Sequence, residues 1–345
     1  MNNNMLERYS RQLLFPEIGI TGQQKLINSK AVIVGMGALG TVIANHLTRS
    51  GVGFVRIIDR DFVEISNLQR QTLYDENDAL TNKPKAIAAY HKLTKINSTI
   101  TIEPIVTDIH SWNAEDLLSD VDIIIDGTDN LVTRYIINDV SAKYKIPWIH
   151  GGAVRSRGMF AVFDSSVGPC YRCLFPTPVV GQLETCDLVG VISPITHLVG
   201  SLQATEAIKI LVGDHNNRNS NLVQFDIWLN DEMEMDLSLS KNPNCPACSL
   251  HQYDYLKNEQ HGEDYTALCG RNAIQISPKT ERDINMTEMK EKLMKIGPVE
   301  INPYLLKCKI DCTVTLVIFK NGRVVIQGTD DITKAKSLYA KYIGS

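Results

Sequence analysis

Within the first 130 residues a glycine-rich turn is followed by a concentration of ions and amides. Gly35-Met-Gly37-Ala-Leu-Gly40 comes directly after the apolar run 31–34 (AVIV) and opens a helical pattern that reaches about Arg49. Gly35 permits a tight turn, Gly37 lets backbone N–H groups approach a phosphate, and the helix N-terminus adds partial positive charge. Asp59 ends the next apolar run, 54–59 (FVRIID), where an acidic group can bond ribose hydroxyls. This much suits NAD as well as ATP. The residues that follow separate the two. Asp59-Arg-Asp61-Phe-Val-Glu-Ile-Ser-Asn67-Leu-Gln-Arg70-Gln71 crowds polar groups just past the strand, Lys83 and Lys85 start the next helix, and Asp126-Gly-Thr-Asp129-Asn130 follows a later strand. In an open α/β sheet these positions share one crevice. Cations there neutralise phosphate charge in the transition state, and a carboxylate holds Mg²⁺. A dehydrogenase has no use for such a cluster, so the pattern predicts phosphoryl or nucleotidyl transfer from ATP.

The cysteines suggest a second kind of chemistry. Cys170-Tyr-Arg-Cys173 and Cys245-Pro-Ala-Cys248 are two C-x-x-C knuckles, and four thiolates fill a tetrahedral Zn²⁺ shell with no open position. A structural zinc is therefore expected, clamping the middle of the chain to later strands. Cys186 stands apart in Glu184-Thr185-Cys186-Asp187. It reads either as a reactive thiolate or as an inert buried thiol. Cys269, Cys308 and Cys312 have no metal spacing and read as packing residues.

RYSRQ at 8–12, GMGALG, DRDFVEISNLQRQ, NKPK at 82–85 and DGTDN at 126–130 resemble, in order, the motifs of the ThiF/MoeB adenylyltransferases, relatives of the ubiquitin-activating enzymes. The similarity spans roughly residues 5–250, and the tail from LCGRNAIQI is similar to that of Gram-positive ThiF proteins. The resemblance implies that Asp59 holds the ribose and that Asn67, Arg70 and Lys85 contact phosphates. Asp61, Gln71 and Asn130 belong to the same nucleotide-binding motifs, and Asp129 is the implied magnesium ligand. Arg11 would reach the γ-phosphate of a neighbouring subunit's ATP, implying a homodimer, while Arg8 is open to a packing or salt-bridge role. The family's zinc pattern matches all four knuckle cysteines, and its cysteine at the position of Cys186 is implicated in sulfur transfer. The implied activity is adenylation of the C-terminal Gly-Gly carboxylate of a ubiquitin-like sulfur-carrier protein, of the ThiS type by the tail. The small subunit of molybdopterin synthase, the MoeB carrier, is the alternative. A sulfur donor such as a cysteine desulfurase is an implied further partner.

Positioning these residues needs a particular set of elements. A helix is expected over 81–97, capped by Thr81 or Asn82 with Pro84 in its first turn. Strands at 100–105, 121–126 and 147–149 alternate with helical patterns at 114–118 and 133–144. The fold class is therefore α/β: a Rossmann-like, mostly parallel sheet with helices on both faces. From Gly158 the pattern changes. A strand at 159–163, a helix at 193–212 and antiparallel strands at 222–228 and 232–239 lead to the second knuckle. The expected organisation is an adenylation domain over 1–250, a linker over 251–265 and a small α+β domain over 266–345. In the last, Asn321-Gly322 marks a hairpin between 314–319 and 323–327.

The bulk numbers agree. The chain has 345 residues, enough for two domains, and at 43% hydrophobic and 21% charged it can bury a core. A formal charge of −4 argues against a nucleic-acid partner, and so against the related tRNA-modifying cyclases. MNNNMLERYS has no signal-peptide core and the longest uncharged stretches are broken, so a cytoplasmic protein without membrane association is expected. An NAD-binding redox or sensor module is the rival of another class. It would leave Asn67, Arg70, Lys85 and Asp129 unused.

Overall fold

A computed structural model of the chain describes residues 7–178, 189–257, 264–268, 272–278 and 283–344. The chain divides into two compact units, Met1–Asn258 and Glu259–Ser345. In the first, the described strands β1 (Lys30–Val34), β2 (Phe54–Ile58), β3 (Thr101–Ile105), β4 (Ile123–Asp126), β5 (Trp148–Val154), β6 (Arg157–Phe163), β7 (Asn221–Asp226) and β8 (Asp231–Asp236) form one sheet in the order β3-β2-β1-β4-β5-β6-β7-β8. Strands β1 to β5 are parallel, and β6 to β8 continue antiparallel. The α/β class and the antiparallel continuation are as expected.

The apolar runs 31–34 of β1 and 123–125 of β4, and that of β2 apart from Arg56, follow from burial on both faces. Ala31, Ile33, Ile57 and Ile125 pack toward the Ala38–Ser50, Lys85–Ile96 and Ser193–Val212 helices. Val32, Val34, Ile58 and Ile124 pack on the other side, toward the Leu131–Tyr144 helix. The Ser193–Val212 helix is apolar nearly all round because it lies against both the Ala38–Ser50 helix and strands β5 and β6.

Four details differ from expectation. The helix expected from 81 begins at Lys85, with Pro84 at its N-cap and no side-chain cap. A separate short helix, Glu76–Leu80, precedes it, capped by Asp75. Between them Asn82 takes a left-handed φ of 47°, which no continuous helix permits. Strand β5 runs on through Gly151 and Gly152 to Val154, pairing with β6. A Cβ on Gly151 would collide with the Gln203 side chain, so that glycine serves close helix–sheet packing and not chain termination. Residues 253–256, inside the stretch read as linker, pack on the first unit: Tyr255 stacks on Tyr135 and Asp254 pairs with Arg172. Cys312 is exposed, whereas Cys308 is buried in the second unit's core. Cys186 and Cys269 lie outside the described residues.

The second unit is a six-stranded sheet among the described residues. It adds β9 (Asp264–Leu268), β10 (Ala273–Ser277), β11 (Val299–Ile301), β12 (Leu305–Lys309), β13 (Thr315–Phe319) and β14 (Val324–Gln327), in the order β11-β12-β13-β14-β10-β9. Leu293, Ala335 and Tyr339, from the Met286–Met294 and Ile332–Tyr342 helices, join Ile274, Leu316 and Ile326 in its core. The Asn321-Gly322 turn joins β13 to β14 as expected, while β9, β11 and β12 were not read from the sequence.

Gly200 is where the two long helices cross. A Cβ there would lie 2.9 Å from the Val42 Cβ and 3.2 Å from the Leu39 carbonyl oxygen. Gly200→Val should destabilise the first unit by about 2–3 kcal/mol through overpacking, with no helix-propensity gain large enough to offset it. Urea unfolding followed by circular dichroism checks this; an unchanged midpoint would mean the helices can move apart.

Candidate functional site

The ends of β1 and β4 meet at backbone distance. Gly35 has a φ of 91°, and a Cβ on it would sit 2.7 Å from the Gly127 carbonyl oxygen. A Cβ on Gly40 would overlap the Gly35 carbonyl. These glycines are needed for packing turn against turn. Gly37 differs: it caps the Ala38–Ser50 helix, and its nearest neighbour on the open side is the Gln71 amide nitrogen, 3.9 Å from an ideal Cβ. Of the three, Gly37 leaves space for another group to approach the turn.

Asp59 is buried and committed to the turn. Its Oδ2 accepts from the Met36 N–H at 2.6 Å and its Oδ1 from the Asp61 N–H at 2.7 Å. Burial pushes this carboxyl above its ordinary pKa, and the nearby Lys85 ammonium works against the shift. Lys85 is itself buried, in the first turn of its helix, with its Nζ 3.4 Å from the Asp61 carboxylate. Tyr74, which sequence reasoning missed, donates its hydroxyl to the carbonyls of Met36 and Lys85 and so ties the glycine turn to this helix. Burial, then Asp59, raises its pKa well above the usual value and keeps it a donor.

The Asn67 Oδ1 accepts from the Glu64 N–H and holds the 3₁₀ turn Ile65–Asn67. Arg70 is partly exposed, with one nitrogen on the Ser66 carbonyl. Gln71 is buried, and its Oε1 has no hydrogen-bond partner. An orphaned acceptor beside Gly37 is the kind of group a bound polar molecule satisfies.

Across the crevice, Asp126 is fully buried at the end of β4. Its Oδ2 accepts from His150 Nδ1 at 2.8 Å and Arg134 Nε at 3.0 Å, and its Oδ1 from the Thr128 N–H. Asp129 is exposed on the turn beyond. Asn130 is spent on structure, since its Oδ1 caps the Leu131–Tyr144 helix at the N–H groups of Val132 and Thr133. Arg60 and Asp108, also missed, form a 2.6 Å ion pair close enough for Asp129 to act on Arg60 electrostatically. The structure thus gathers Gly35, Gly37, Gly40, Asp59, Asp61, Lys85 and Gln71 around one turn. Asp129 is exposed on the turn after β4, which touches the glycine turn at the Gly35–Gly127 contact.

Arg11 is exposed on the Ser10–Leu13 helix, and among the described residues no hydrogen bond ties it to this cluster. Its motif neighbours are anchors. Arg8 donates to the Ile96 carbonyl, Tyr9 accepts from the Asn97 amide, and Gln12 donates to the Ser50 carbonyl.

The two cysteine knuckles come together in space. Cys170 and Cys245 sulfurs are 3.5 Å apart, as are those of Cys173 and Cys248, and all four lie within 4.8 Å of one another. Tetrahedral Zn–S bonds of about 2.3 Å put sulfurs about 3.8 Å apart, so the set fits zinc. Hydrogen bonding to Cys173 and Cys248 pushes the Cys170 thiol up, while bonds from Cys170 and Cys173 pull Cys248 far down. Were all four deprotonated, thiolates this close would need a cation among them.

Comparison with known proteins agrees with this geometry. The model of the ThiF family matches residues 9–247. The chain is 42% identical over 342 residues to the sulfur carrier protein ThiS adenylyltransferase of Bacillus subtilis, covering 99% of this chain and all of that one. It is 35% identical over 271 residues to the sulfur carrier protein adenylyltransferase of Thermus thermophilus, covering 77% and 97%. Among solved structures, the Escherichia coli MccB complex with MccA-N7isoASN superposes with a TM-score of 0.63 at 24% identity, over 72% of this chain and 76% of that one, a likeness of fold. The glycine-turn cluster and the four gathered cysteines accompany a family match over most of the first unit, and the chain belongs to the ThiF family.

Proposed function

We propose that this protein is an ATP-dependent adenylyltransferase acting on the C-terminal Gly-Gly carboxylate of a ubiquitin-like, ThiS-type sulfur carrier. The observation that carries the reading is the match over 99% of this chain to the Bacillus subtilis relative, whose name is that of an adenylyltransferase of the sulfur carrier protein ThiS, a match that takes in the second unit. The crevice supplies the parts. Gly37 and the helix it caps receive phosphates, Asp59 lies where a ribose would be bound, and Gln71 offers its unpaired acceptor.

In this reading the carrier's terminal carboxylate attacks the α-phosphorus of ATP. A carboxylate O–P bond forms, the bridging P–O bond to the β-phosphate breaks, and pyrophosphate leaves with the electron pair. No general base is needed, because a C-terminal carboxylate is ionised at neutral pH. Lys85 and Arg70 offset charge on the phosphate oxygens, and Arg11 would be supplied by the second subunit of a homodimer. Asn67 and Asn130 contribute by holding the 65–67 turn and the 127–130 turn in place. Asp129 and the phosphates would hold Mg²⁺, which supplies charge neutralisation for the leaving group. The four knuckle cysteines would hold Zn²⁺ as a structural clamp. Cys186, with a persulfide donor such as a cysteine desulfurase, would serve the later thiocarboxylate step. The activity is a cytoplasmic one in this reading, and among the described residues no helix is long and apolar enough to cross a membrane.

Three outcomes check it. Purified protein should catalyse ATP–pyrophosphate exchange only with a carrier present, and faster with a ThiS-type carrier than with the molybdopterin-synthase small subunit. Equal or reversed preference overturns the assignment of the carrier. Asp129→Ala should cut the exchange rate at least about 100-fold, and full activity in that variant would remove Asp129 from the reaction. Cys170→Ser should lose zinc by metal analysis and lower the melting temperature, since a closed zinc site contributes on the order of 10 kcal/mol to folding. A wild-type chain that purifies without zinc and melts unchanged in chelator would refute the clamp.

A further inference from the structure

The buried ions beneath the 127–130 turn take no part in the chemistry proposed above. Arg134 sits in the first turn of the Leu131–Tyr144 helix with its side chain 17% exposed. Its guanidinium meets three different elements. Nε bonds the Asp126 carboxylate at the end of β4, and Nη2 bonds the Thr128 carbonyl at 2.8 Å and the Gly151 carbonyl on β5 at 3.2 Å. Tyr171, inside the first cysteine knuckle, lies close enough for the Arg134 charge to act on its hydroxyl. Gln203, on the Ser193–Val212 helix, donates to the backbone carbonyls of Asp126 and Ile149.

We propose that Arg134 is a positioning residue for the nucleotide site: held on Asp126, it grips the Thr128 carbonyl and thereby fixes the turn from which Asp129 projects. This inference rests on the reading of Asp129 as the magnesium-holding carboxylate. Thr128 is held at both of its backbone groups, by Asp126 at the N–H and by Arg134 at the carbonyl. Asn130 N–H then bonds the Thr128 hydroxyl and Asn130 caps the helix, so Asp129 stands between two fixed residues. An exposed carboxylate on a free turn would sample many positions, and a displacement of about 1 Å is enough to weaken a preorganised site severely. His150 is held neutral, first by burial and then by the adjacent Arg134. The ionic partner of Asp126 is thus the guanidinium, with His150 a neutral donor to the same oxygen. A lysine carries the charge but not the fork that reaches Asp126 and the two carbonyls together.

The test is calorimetric titration of the full chain with ATP, with and without Mg²⁺, for wild type, Arg134→Lys, Arg134→Gln, Asp129→Asn and the Asp129→Asn/Arg134→Gln double variant. Thermal unfolding is recorded beside it. The expected result is that Arg134→Gln loses about tenfold of the Mg²⁺-dependent tightening while metal-free ATP binding changes less than about threefold. Arg134→Lys should recover part of that loss, and the double variant should bind Mg²⁺–ATP no more weakly than Asp129→Asn alone. Arg134→Lys stands in if Arg134→Gln does not fold. A full Mg²⁺ effect in the variants, additive losses in the double variant, or a parallel fall of metal-free binding and melting temperature would overturn the inference. So would a wild type whose ATP binding Mg²⁺ does not tighten. Failure of the proposed function looks different: wild type binds Mg²⁺–ATP but exchanges no pyrophosphate with any carrier, and the binding comparison still stands.

Discussion

The backbone contact between Gly35 and Gly127 is the constraint from which the site follows. A side chain at either position would collide with the other's backbone, and one at Gly40 would collide with Gly35 itself. Because all three are bare, the turn after β1 and the turn after β4 touch. The first brings a helix N-terminus and the second brings Asp129. Residues more than ninety positions apart are thereby brought side by side.

Most polar groups there hold the walls and do not face the opening. Asp59 accepts from Met36 and Asp61, Asn67 closes a 3₁₀ turn, Asn130 caps a helix, and Asp126 receives Arg134 and His150. Each removes a backbone donor or a buried charge that would otherwise go unpaired, at a cost of about 1–3 kcal/mol apiece for the neutral groups. Gln71 Oε1 remains unpaired, and Asp129 remains exposed. An arrangement of this kind is preorganised: the scaffold bears the ordering cost on folding.

The cysteine cluster works on the same fold from further away. Tyr171, between the knuckle cysteines, packs among Trp148, His150 and Phe163, so the clamp leans on the aromatic core under β4 and β5. Arg172 reaches Asp139 and Asp254, which carries residues 253–256 onto the first unit. The same pairing explains why a polar stretch with no periodicity, read as linker, is in part a packed strap. Its apolar contacts are two tyrosines and a leucine at irregular spacing, and the stacking partner of Tyr255, Tyr135, lies over a hundred residues away.

Local features were legible in the sequence because their causes are local. An apolar run before Gly35-x-Gly37-x-x-Gly40 dictates strand, turn and helix by backbone sterics alone, and two C-x-x-C knuckles announce four sulfurs that meet in space. The alternation of strands and helices was enough for the α/β class. Tertiary structure alone decided the rest. Whether a carboxylate faces a ligand or a backbone N–H depends on which distant chain arrives beside it, so Asn130 as a cap and the union of Asp126, Arg134 and His150 could not be read from spacing. The strand expected at 147–149 runs on to Val154 because the reason for Gly151, the Gln203 side chain pressed against β5, lies fifty residues further on. Spacing along the chain sets what a residue can do, while long-range packing sets which of those things it is placed to do.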